Sequence, residues 1–425
     1  MRNKIKAFFK SKFIAALLMV SGGSVVAQVL NFAFQPIISR LYSVEEFGEY
    51  AVYASILTIA SVVVSLAYDQ AIVSAKDNDE AQRLMFGTVY LSGILCLLMT
   101  ILLACFRDIF LSWINLDHCD WLYILPINVF LLCFYNLITS YNYRTGKYRS
   151  IGVAACVRSG GMGVMQVLLF YVGVSSIGLS LGRVIALLIC SAPLVYSILI
   201  SGISIKNGRL DYVKKAFKNN YQFPVFQFPA SFVDRFLDAT ITFAILLLYT
   251  QKELGIYSLV IQVLGMPINL VSTSLRKLCI SEFNKNRDDV QASKKLYIRV
   301  AIGMGLLIGV GMLALCLIAE PLFVGLFGEK WSGAGLYIQG LALLYAVKFV
   351  TYPLSSVSVV KEKQNIFLLF QVFLVITSLL ALGIAKLLST TIFVYLIILS
   401  VGLSSIYILQ SIVFYKVLTR NKTEE

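Results

Sequence analysis

The sequence predicts an all-α polytopic membrane protein with about twelve transmembrane helices. Hydrophobic residues make up 59% of the 425 residues, charged residues make up only 14%, and the charges are concentrated in the gaps between long apolar runs. An apolar helix of about 20 residues crosses a hydrocarbon core that is roughly 30 Å thick. A soluble protein of this length would not bury so much apolar surface in uninterrupted segments.

Twelve apolar runs of the required length follow one another along the chain, six in each half. They cover 13–39, 48–74, 84–106, 122–140, 150–174, 177–203, 223–250, 254–280, 298–319, 334–355, 366–386 and 390–415.

The distribution of lysine and arginine predicts the orientation of these helices. If the N-terminus and every second gap are assigned to the cytoplasm, 27 of the 36 basic residues lie on that side and five lie on the other. The positive-inside rule then places both termini in the cytoplasm. Trp113, Trp121 and Trp331 all fall in outer gaps, which is typical of an interfacial aromatic belt. The net charge of +14 therefore requires no nucleic-acid partner.

The polar residues outside the runs predict neither a metal site nor a cofactor site. Of the eight cysteines only Cys119 lies in a polar gap, and the single histidine, His118, has no partner at ligand spacing. The gaps also contain no histidine-base site, so we expect a protein that is not an enzyme.

The two halves of the chain repeat one another at an offset of 207 residues. The stretch 41–57, LYSVEEFGEYAVYASIL, matches 248–264, LYTQKELGIYSLVIQVL, without a gap. The coinciding residues are Leu41/Leu248, Tyr42/Tyr249, Glu46/Glu253, Gly48/Gly255, Tyr50/Tyr257 and Leu57/Leu264. Each stretch is the outer turn between the first two helices of a six-helix half.

The repeat predicts an N-terminal six-helix bundle at 1–203, a cytoplasmic linker at 204–222 and a C-terminal six-helix bundle at 223–425. Because six is even, both bundles enter from the cytoplasm and are parallel repeats about an axis along the membrane normal. Transporters built in this way hold substrate in a central cavity between the halves and alternate access by rocking them. A duplication that serves assembly alone is the alternative.

Polar residues inside the runs predict which helices face that cavity. In the first run Ser24, Gln28, Asn31 and Gln35 form one helical stripe, and an offset of 207 leads to Ser231, Arg235, Asp238 and Thr242 in the seventh. Asp234 borders the second stripe. A charged side chain at the bilayer centre costs at least ~2.5–3.5 kcal/mol, so Arg235 should face protein or water. The alternative is an Arg235–Asp238 pair at i,i+3 that only aids packing.

Further charges inside the runs include Asp69, Arg158, Arg183 and Lys348. Arg158 and Arg183 lie near helix ends, so snorkelling to the interface is an alternative for both. The offset takes Asp69 to Arg276, and a pair between them would form an inner gate. The buried charges lean cationic, which favours an anionic substrate, and phosphate is a usual partner of arginine.

A set of short segments carries a family resemblance. They are 40–50 (RLYSVEEFGEY), 65–73 (SLAYDQAIV), 254–259 (LGIYSL) with 265–267 (GMP), 327–331 (FGEKW) with 334–335 (AG), and 352–355 (YPLS) with 361–364 (KEKQ). These segments resemble the Wzx-type O-antigen flippases, which are polysaccharide transporters of the multidrug/oligosaccharidyl-lipid/polysaccharide (MOP) exporter superfamily. The segments occur in order over most of the chain. One departure is that members of the family often carry Arg-Tyr-Glu where this chain has Ala67-Tyr68-Asp69.

The resemblance implies two six-helix bundles around a cation-lined lumen in the bacterial inner membrane. It also implies that an undecaprenyl-diphosphate-linked oligosaccharide, the O-antigen repeat unit of lipopolysaccharide, moves from the cytoplasmic to the periplasmic leaflet. Arg235, Lys348, Arg158 and Arg183 are then candidates for binding the diphosphate, and Gln28, Asn31 and Gln35 for contacting the sugars. Asp238, Asp69, Asp234 and Arg276 are candidates for ion coupling or gating.

The expected partners are the lipid-linked substrate, membrane lipid, a coupling H⁺ or Na⁺, a polysaccharide polymerase and a chain-length regulator. No G-x-x-x-x-G-K-[ST] motif occurs, so the energy source is an ion gradient or the pull of polymerisation rather than ATP hydrolysis within this chain. Alternative functions are a drug or cation antiporter of the same superfamily, a flippase for another polyprenyl-linked glycan, and a membrane enzyme acting on the same lipid.

Overall fold

Every regular element in the described part of the chain is a helix, which confirms the predicted all-α class. The computed structural model describes residues 12–114, 120–174, 177–200, 202–285, 289–361 and 363–419. The chain forms two compact units, of which the first ends at Arg235 and the second begins at Phe236.

Ten α-helices lie in the first unit, the last of which continues into the second. They are α1 Lys12–Leu41, α2 Val44–Ser65, α3 Tyr68–Ser74, α4 Asn78–Cys105, α5 Arg107–Ile114, α6 Leu125–Arg144, α7 Tyr148–Tyr171, α8 Gly178–Ile200, α9 Leu210–Asn219 and α10 Phe228–Leu248. Short 3₁₀ turns occupy Asp120–Tyr123 and Ile205–Gly208, and a π-helical turn at Phe223–Gln227 leads into α10.

Seven further α-helices complete the second unit. They are α11 Gln251–Pro267, α12 Thr273–Lys285, α13 Val290–Phe327, α14 Ala334–Leu354, α15 Val357–Val360, α16 Gln364–Leu387 and α17 Ile392–Thr419. A π-helical turn at Ile268–Ser272 joins α11 to α12, and a 3₁₀ turn at Glu329–Trp331 precedes α14.

Nine helical segments within the described residues are long and apolar enough to cross a membrane. They are Val44–Ser65, Asn78–Cys105, Tyr148–Tyr171, Gly178–Ile200, Gln251–Lys285, Val290–Phe327, Ala334–Val360, Gln364–Leu387 and Ile392–Thr419. The chain is therefore a multi-pass membrane protein. The other three predicted runs are also helical and correspond to α1, α6 and α10.

Several helices begin before the apolar runs that predict them, because polar residues cap their first turns. Ser43 and Glu46 form a capping box at α2, in which the Glu46 amide donates to Ser43 Oγ at 3.1 Å and the Ser43 amide donates to the Glu46 carboxylate at 2.6 Å. Thr250 and Glu253 form the same box at α11. The glutamate of the 207-residue repeat is therefore explained by helix capping.

The repeated tyrosine before each of these caps lies against the start of the sixth helix of its own half, and Tyr42 also bonds to the fifth. Tyr42 donates a hydrogen bond to the Gln166 carbonyl at 2.7 Å, and its ring lies against Gly178 at the start of α8. Tyr249 lies beside the chain that leads into α17, and its hydroxyl donates to the Thr391 carbonyl at 3.4 Å. Equivalent positions of the repeat thus have equivalent structural roles.

The predicted single run 48–74 is wrong as one helix, because the backbone breaks between α2 and α3. Leu66 and Ala67 both adopt left-handed conformations, with φ of 45° and 59°. This region costs a non-glycine residue roughly 1–2 kcal/mol, so neighbouring interactions must maintain the break. Apolar composition does not reveal it, since both sides of the break are equally hydrophobic.

Candidate functional site

The predicted polar stripe of α1 lies at the edge of its exposed face. Asn31 is exposed and Gln28 is half-buried, whereas Gln35 is only 9% exposed. A neighbouring face of α1 packs on α7 so closely that a Cβ atom at Gly23 would approach the Gly152 Cα to 2.5 Å. Among the residues that the structure describes, neither the Gln28 nor the Asn31 side chain has a hydrogen-bond partner. Two side-chain amides of α1 are thus available to a ligand or to water.

Asp69 lies immediately after the break between α2 and α3 and is half-buried. Its carboxyl group lies close to the Ser65 hydroxyl and to the backbone amides of Asp69 and Gln70. Cys133 of α6 is close enough to interact with it electrostatically. The break therefore turns the first residues of α3 so that their amides lie near this carboxylate.

Gln70 connects α3 to the start of α10, a link that the sequence pattern does not predict. Its amide nitrogen lies 3.4 Å from Ser231 Oγ, and its carbonyl oxygen accepts from Gln227 Nε2 at 2.9 Å. Ser231 belongs to the polar stripe predicted for the seventh run, and Gln227 lies one turn before it. The residue next to Asp69 thus contacts that stripe directly.

Arg158 and Arg183 both lie against tyrosines of neighbouring helices. The Arg158 guanidinium on α7 is exposed and sits 5.1 Å from the centroid of the Tyr135 ring on α6. Arg183 on α8 is half-buried, and its Nη1 lies 3.5 Å from the hydroxyl of Tyr50 on α2. Asn128 of α6 donates to Tyr53, which also interacts electrostatically with Arg183.

Arg235 and Asp234 are exposed near the middle of α10, as is Asp238 one turn later. Arg235 is the last residue of the first unit, and Asp238 belongs to the second. Exposure of charged groups within a predicted membrane run is consistent with a hydrated face on this helix.

A cluster of charged and phenolic side chains lies inside the second unit. The Lys348 ammonium on α14 is 6.0 Å from the centroid of the Tyr345 ring one turn earlier. Lys348 and Asp238 both act electrostatically on the Tyr345 hydroxyl, and Asp238 and Tyr345 both act on Tyr257 of α11. We refer to Asp238, Tyr257, Tyr345 and Lys348 as the Tyr345 cluster. It brings together two residues predicted for different roles, namely Lys348 and Asp238.

Arg276 on α12 is half-buried, and its guanidinium lies 5.1 Å from the centroid of the Tyr352 ring. Among described atoms its Nε is buried without a hydrogen-bond partner. Tyr352, which follows Lys348 by one turn, therefore contacts Arg276. The predicted pair of Asp69 with Arg276 stays a prediction.

Four of the five cations, namely Arg158, Arg183, Arg276 and Lys348, lie against a tyrosine. Lys348 and Tyr345 lie one turn apart on the same helix, whereas the other three pairs join two different elements. The cation–π contacts of Arg158, Arg276 and Lys348 position a charge without neutralising it. The exposed Arg158 guanidinium can therefore still donate hydrogen bonds to an anion such as a phosphate.

Within the described residues no group of three or more His, Cys, Asp or Glu side chains could hold a metal ion. His118 and Cys119 lie outside those residues. The arrangement offers cations, amides and carboxylates for binding and positioning.

The sequence matches one family model, described as polysaccharide biosynthesis protein, over residues 37–335. It is 20% identical over 386 residues to an uncharacterized membrane protein in the cps region of Klebsiella pneumoniae, covering 86% of this chain and 73% of that one. It is also 22% identical over 153 residues to the teichuronic acid biosynthesis protein TuaB of Bacillus subtilis. That second alignment covers 36% of this chain and 32% of the Bacillus protein.

Two solved structures share the fold over nearly the whole chain. The lipid II flippase MurJ in an inward closed conformation has a TM-score of 0.74 at 10% identity, covering 95% of this chain and 90% of MurJ. An inward-facing multidrug resistance MATE family transporter of the MOP superfamily has a TM-score of 0.73 at 12% identity, covering 92% and 93%. These similarities establish a shared fold.

Proposed function

Because the chain belongs to the polysaccharide biosynthesis protein family, we propose that it is a flippase for a lipid-linked oligosaccharide. The substrate we propose is an undecaprenyl-diphosphate-linked O-antigen repeat unit. It would move from the cytoplasmic to the periplasmic leaflet of the bacterial inner membrane by alternating access. Twelve spans, two parallel six-helix bundles and cytoplasmic termini remain part of this proposal, as does the division at 203 and 223.

The observation that carries the proposal is the set of cations held against tyrosines within membrane helices. A diphosphate cannot enter hydrocarbon without compensation, since an isolated ion there costs tens of kcal/mol by Born estimates. Arg158, Arg183, Lys348 and the exposed Arg235 would receive the diphosphate in the predicted lumen. The polyprenyl tail would stay in lipid.

The amides of α1 are proposed to contact the sugars. Gln28 and Asn31 have hydrogen-bonding capacity that no described residue uses. Gln35 is the most buried of the three and would act at the inner edge of the stripe. Amides both donate and accept hydrogen bonds, so they suit hydroxyl groups of either orientation.

Asp69, Asp234 and Asp238 are proposed to bind the coupling H⁺ or Na⁺, with Arg276 opposite Asp69 as an inner gate. The position of Asp69 beside Gln70 supports this role, because Gln70 contacts the start of α10. Release of a carboxylate-bound cation would then change a contact between two helices. A polysaccharide polymerase and a chain-length regulator are the proposed partners of the product.

The proposal is tested in cells that carry the cognate glycan gene cluster, with surface polysaccharide scored on gels. A charge-assisted hydrogen bond contributes roughly 1.5–3 kcal/mol, so Arg235→Ala should reduce flipping by about 10- to 100-fold, with partial recovery in Arg235→Lys. The matched control is Arg149→Ala, which removes an exposed arginine from the first turn of α7. Each variant is checked for membrane insertion.

If Arg235→Ala cells display as much surface glycan as wild type, Arg235 does not bind the substrate. Lys348→Ala is then the next variant to test. A gene deletion that leaves the surface glycan unchanged would contradict the flippase itself. Drug efflux is then the function to assay, since the shared fold with a multidrug resistance transporter supports that alternative.

A further inference from the structure

A short basic helix, α9, follows the last membrane helix of the first half and exposes a group of cations. The exposed basic residues are Lys206, Arg209, Lys214, Lys215 and Lys218. Asp211 is the only acidic residue in the sequence 206–218, and the positive-inside distribution predicts that this segment is cytoplasmic. We call Lys206 to Lys218 with its exposed side chains the α9 basic surface.

The opposite face of α9 is packed firmly on the first unit. Val213 and Ala216 are buried, and the Phe217 ring stacks on Tyr68 with a centroid distance of 4.2 Å. Gly87 of α4 permits this approach, because a Cβ atom there would lie 2.5 Å from Val213 Cγ1. The face that carries the lysines is therefore held outward.

Hydrogen bonds fix the chain on either side of α9 as well. Asn207 Nδ2 donates to Asp79 Oδ1 at 3.0 Å and to Gln82 Oε1 at 2.9 Å. Beyond α9, Asn220 Nδ2 donates to Glu80 Oε1 at 3.0 Å. All three acceptors lie in the first turns of α4, so the α9 basic surface stands at the end of a membrane helix.

Apolar side chains are exposed beside the cations. Leu210 is 65% exposed and Tyr221 is 60% exposed, at the two ends of α9. Exposure of Leu210 and Tyr221 to water is unfavourable. The boundary between lipid head groups and acyl chains, in contrast, accommodates both lysines and apolar or aromatic side chains. The combination also disfavours an acidic protein as the main partner.

We propose that the α9 basic surface binds the head groups of anionic phospholipids in the cytoplasmic leaflet. The lysines and arginine pair with lipid phosphates, and Leu210 and Tyr221 contact the adjoining acyl region. Because Phe217 stacks on Tyr68, which precedes Asp69, lipid binding also holds α3 in place. The proposal concerns the surrounding membrane and does not depend on which substrate is transported.

The experiment measures lipid binding to the purified full-length protein in detergent. Phosphatidylglycerol or phosphatidylcholine is titrated in, and bound lipid is counted by native mass spectrometry alongside the melting temperature. The test variant combines Lys214→Gln, Lys215→Gln and Lys218→Gln, and a second variant changes the same three residues to arginine. The matched control combines Lys294→Gln, Lys295→Gln and Arg299→Gln, which removes three cations from the cytoplasmic end of α13.

We expect wild type to bind phosphatidylglycerol in preference to phosphatidylcholine, and high salt to weaken that preference. Each lysine near an anionic surface contributes about fivefold in affinity, or about 1 kcal/mol, so the glutamine variant should lose on the order of 100-fold. The arginine variant and the control should bind like wild type. An unchanged melting temperature in phosphatidylcholine verifies that α9 stays docked.

Three results would overturn the proposal. Equal binding of phosphatidylglycerol and phosphatidylcholine by wild type would show that the protein has no preference for anionic lipid. An equal loss of phosphatidylglycerol binding in the control variant would show that the loss follows from net charge alone. Unchanged phosphatidylglycerol binding by the glutamine variant would also overturn it. In that last case, a loss of surface glycan in cells would assign the surface to a different partner.

Discussion

At the scale of single residues, most cations of the candidate site contact a tyrosine side chain. Arg158, Arg276 and Lys348 each lie over a ring, and Arg183 reaches a tyrosine hydroxyl. A ring face attracts a cation through its quadrupole while leaving the N–H groups at its edge able to donate. The tyrosines thus position these cationic groups without neutralising their charge.

The contact between Arg158 and Tyr135 leads to a first prediction. Tyr135→Phe keeps the ring face and should retain surface glycan, whereas Tyr135→Leu removes a contact that contributes about 0.5–1 kcal/mol at an exposed site and should lower flipping a few-fold. Surface polysaccharide on gels measures both. Tyr171→Leu, at an exposed tyrosine at the end of α7, is the control. Equal amounts of surface polysaccharide in Tyr135→Phe and Tyr135→Leu would show that Arg158 functions without the ring contact.

Glu320 is a charged residue whose role is structural. Its two carboxylate oxygens accept from the Gly333 amide at 2.6 Å and from the Gly335 amide at 2.8 Å, so it caps the first turn of α14 from α13. Glu320→Ala leaves these amides without that acceptor and should lower the free energy of unfolding by about 1–3 kcal/mol. Thermal unfolding in detergent measures this loss. The neighbouring exposed Glu329→Ala should leave the melting temperature unchanged.

At the scale of helices, close approach at glycine decides which elements dock. Helix α9 rests on Gly87, where an added methyl group would lie 2.8 Å from the Phe217 ring. Gly93 on the same helix has its nearest neighbour for such a group at 4.0 Å. The two positions therefore separate the effect of docking from that of helix propensity.

Gly87→Ala should displace α9 and lower the melting temperature, because an overpacked contact costs typically about 1–3 kcal/mol. Gly93→Ala should be neutral or slightly stabilising, since alanine is the better helix former. Limited proteolysis within 202–222 should also be faster in Gly87→Ala alone. Equal melting temperatures and equal cleavage rates would show that α9 is not held by this contact.

At the scale of the whole molecule, membrane topology follows from charge. The basic residues lie mainly in alternate gaps, which predicts that α9 is cytoplasmic and that the turn before α11 faces the other side. The capping box at that turn repeats the one before α2.

Labelling with a membrane-impermeant maleimide tests this topology in intact cells that carry a cysteine-free background. Lys252→Cys should react directly, whereas Lys214→Cys should react only after permeabilisation. Cells are compared by the fraction of protein labelled. Labelling of position 214 in intact cells would invert the predicted orientation and would place the α9 basic surface on the wrong side for the proposed leaflet.

The sequence by itself determined the all-α membrane class and the family, because hydropathy runs and short motifs are properties of contiguous residues. It also predicted the eight charged residues and three amides of the candidate site. Only the tertiary structure decided that the cations lie against tyrosines, that α2 and α3 are separate helices, and that α9 is docked on α4. These features arise from contacts between residues far apart in the chain, and from left-handed conformations at Leu66 and Ala67 that packing must maintain. Hydrophobic periodicity carries no information about contacts between distant residues or about left-handed backbone conformations.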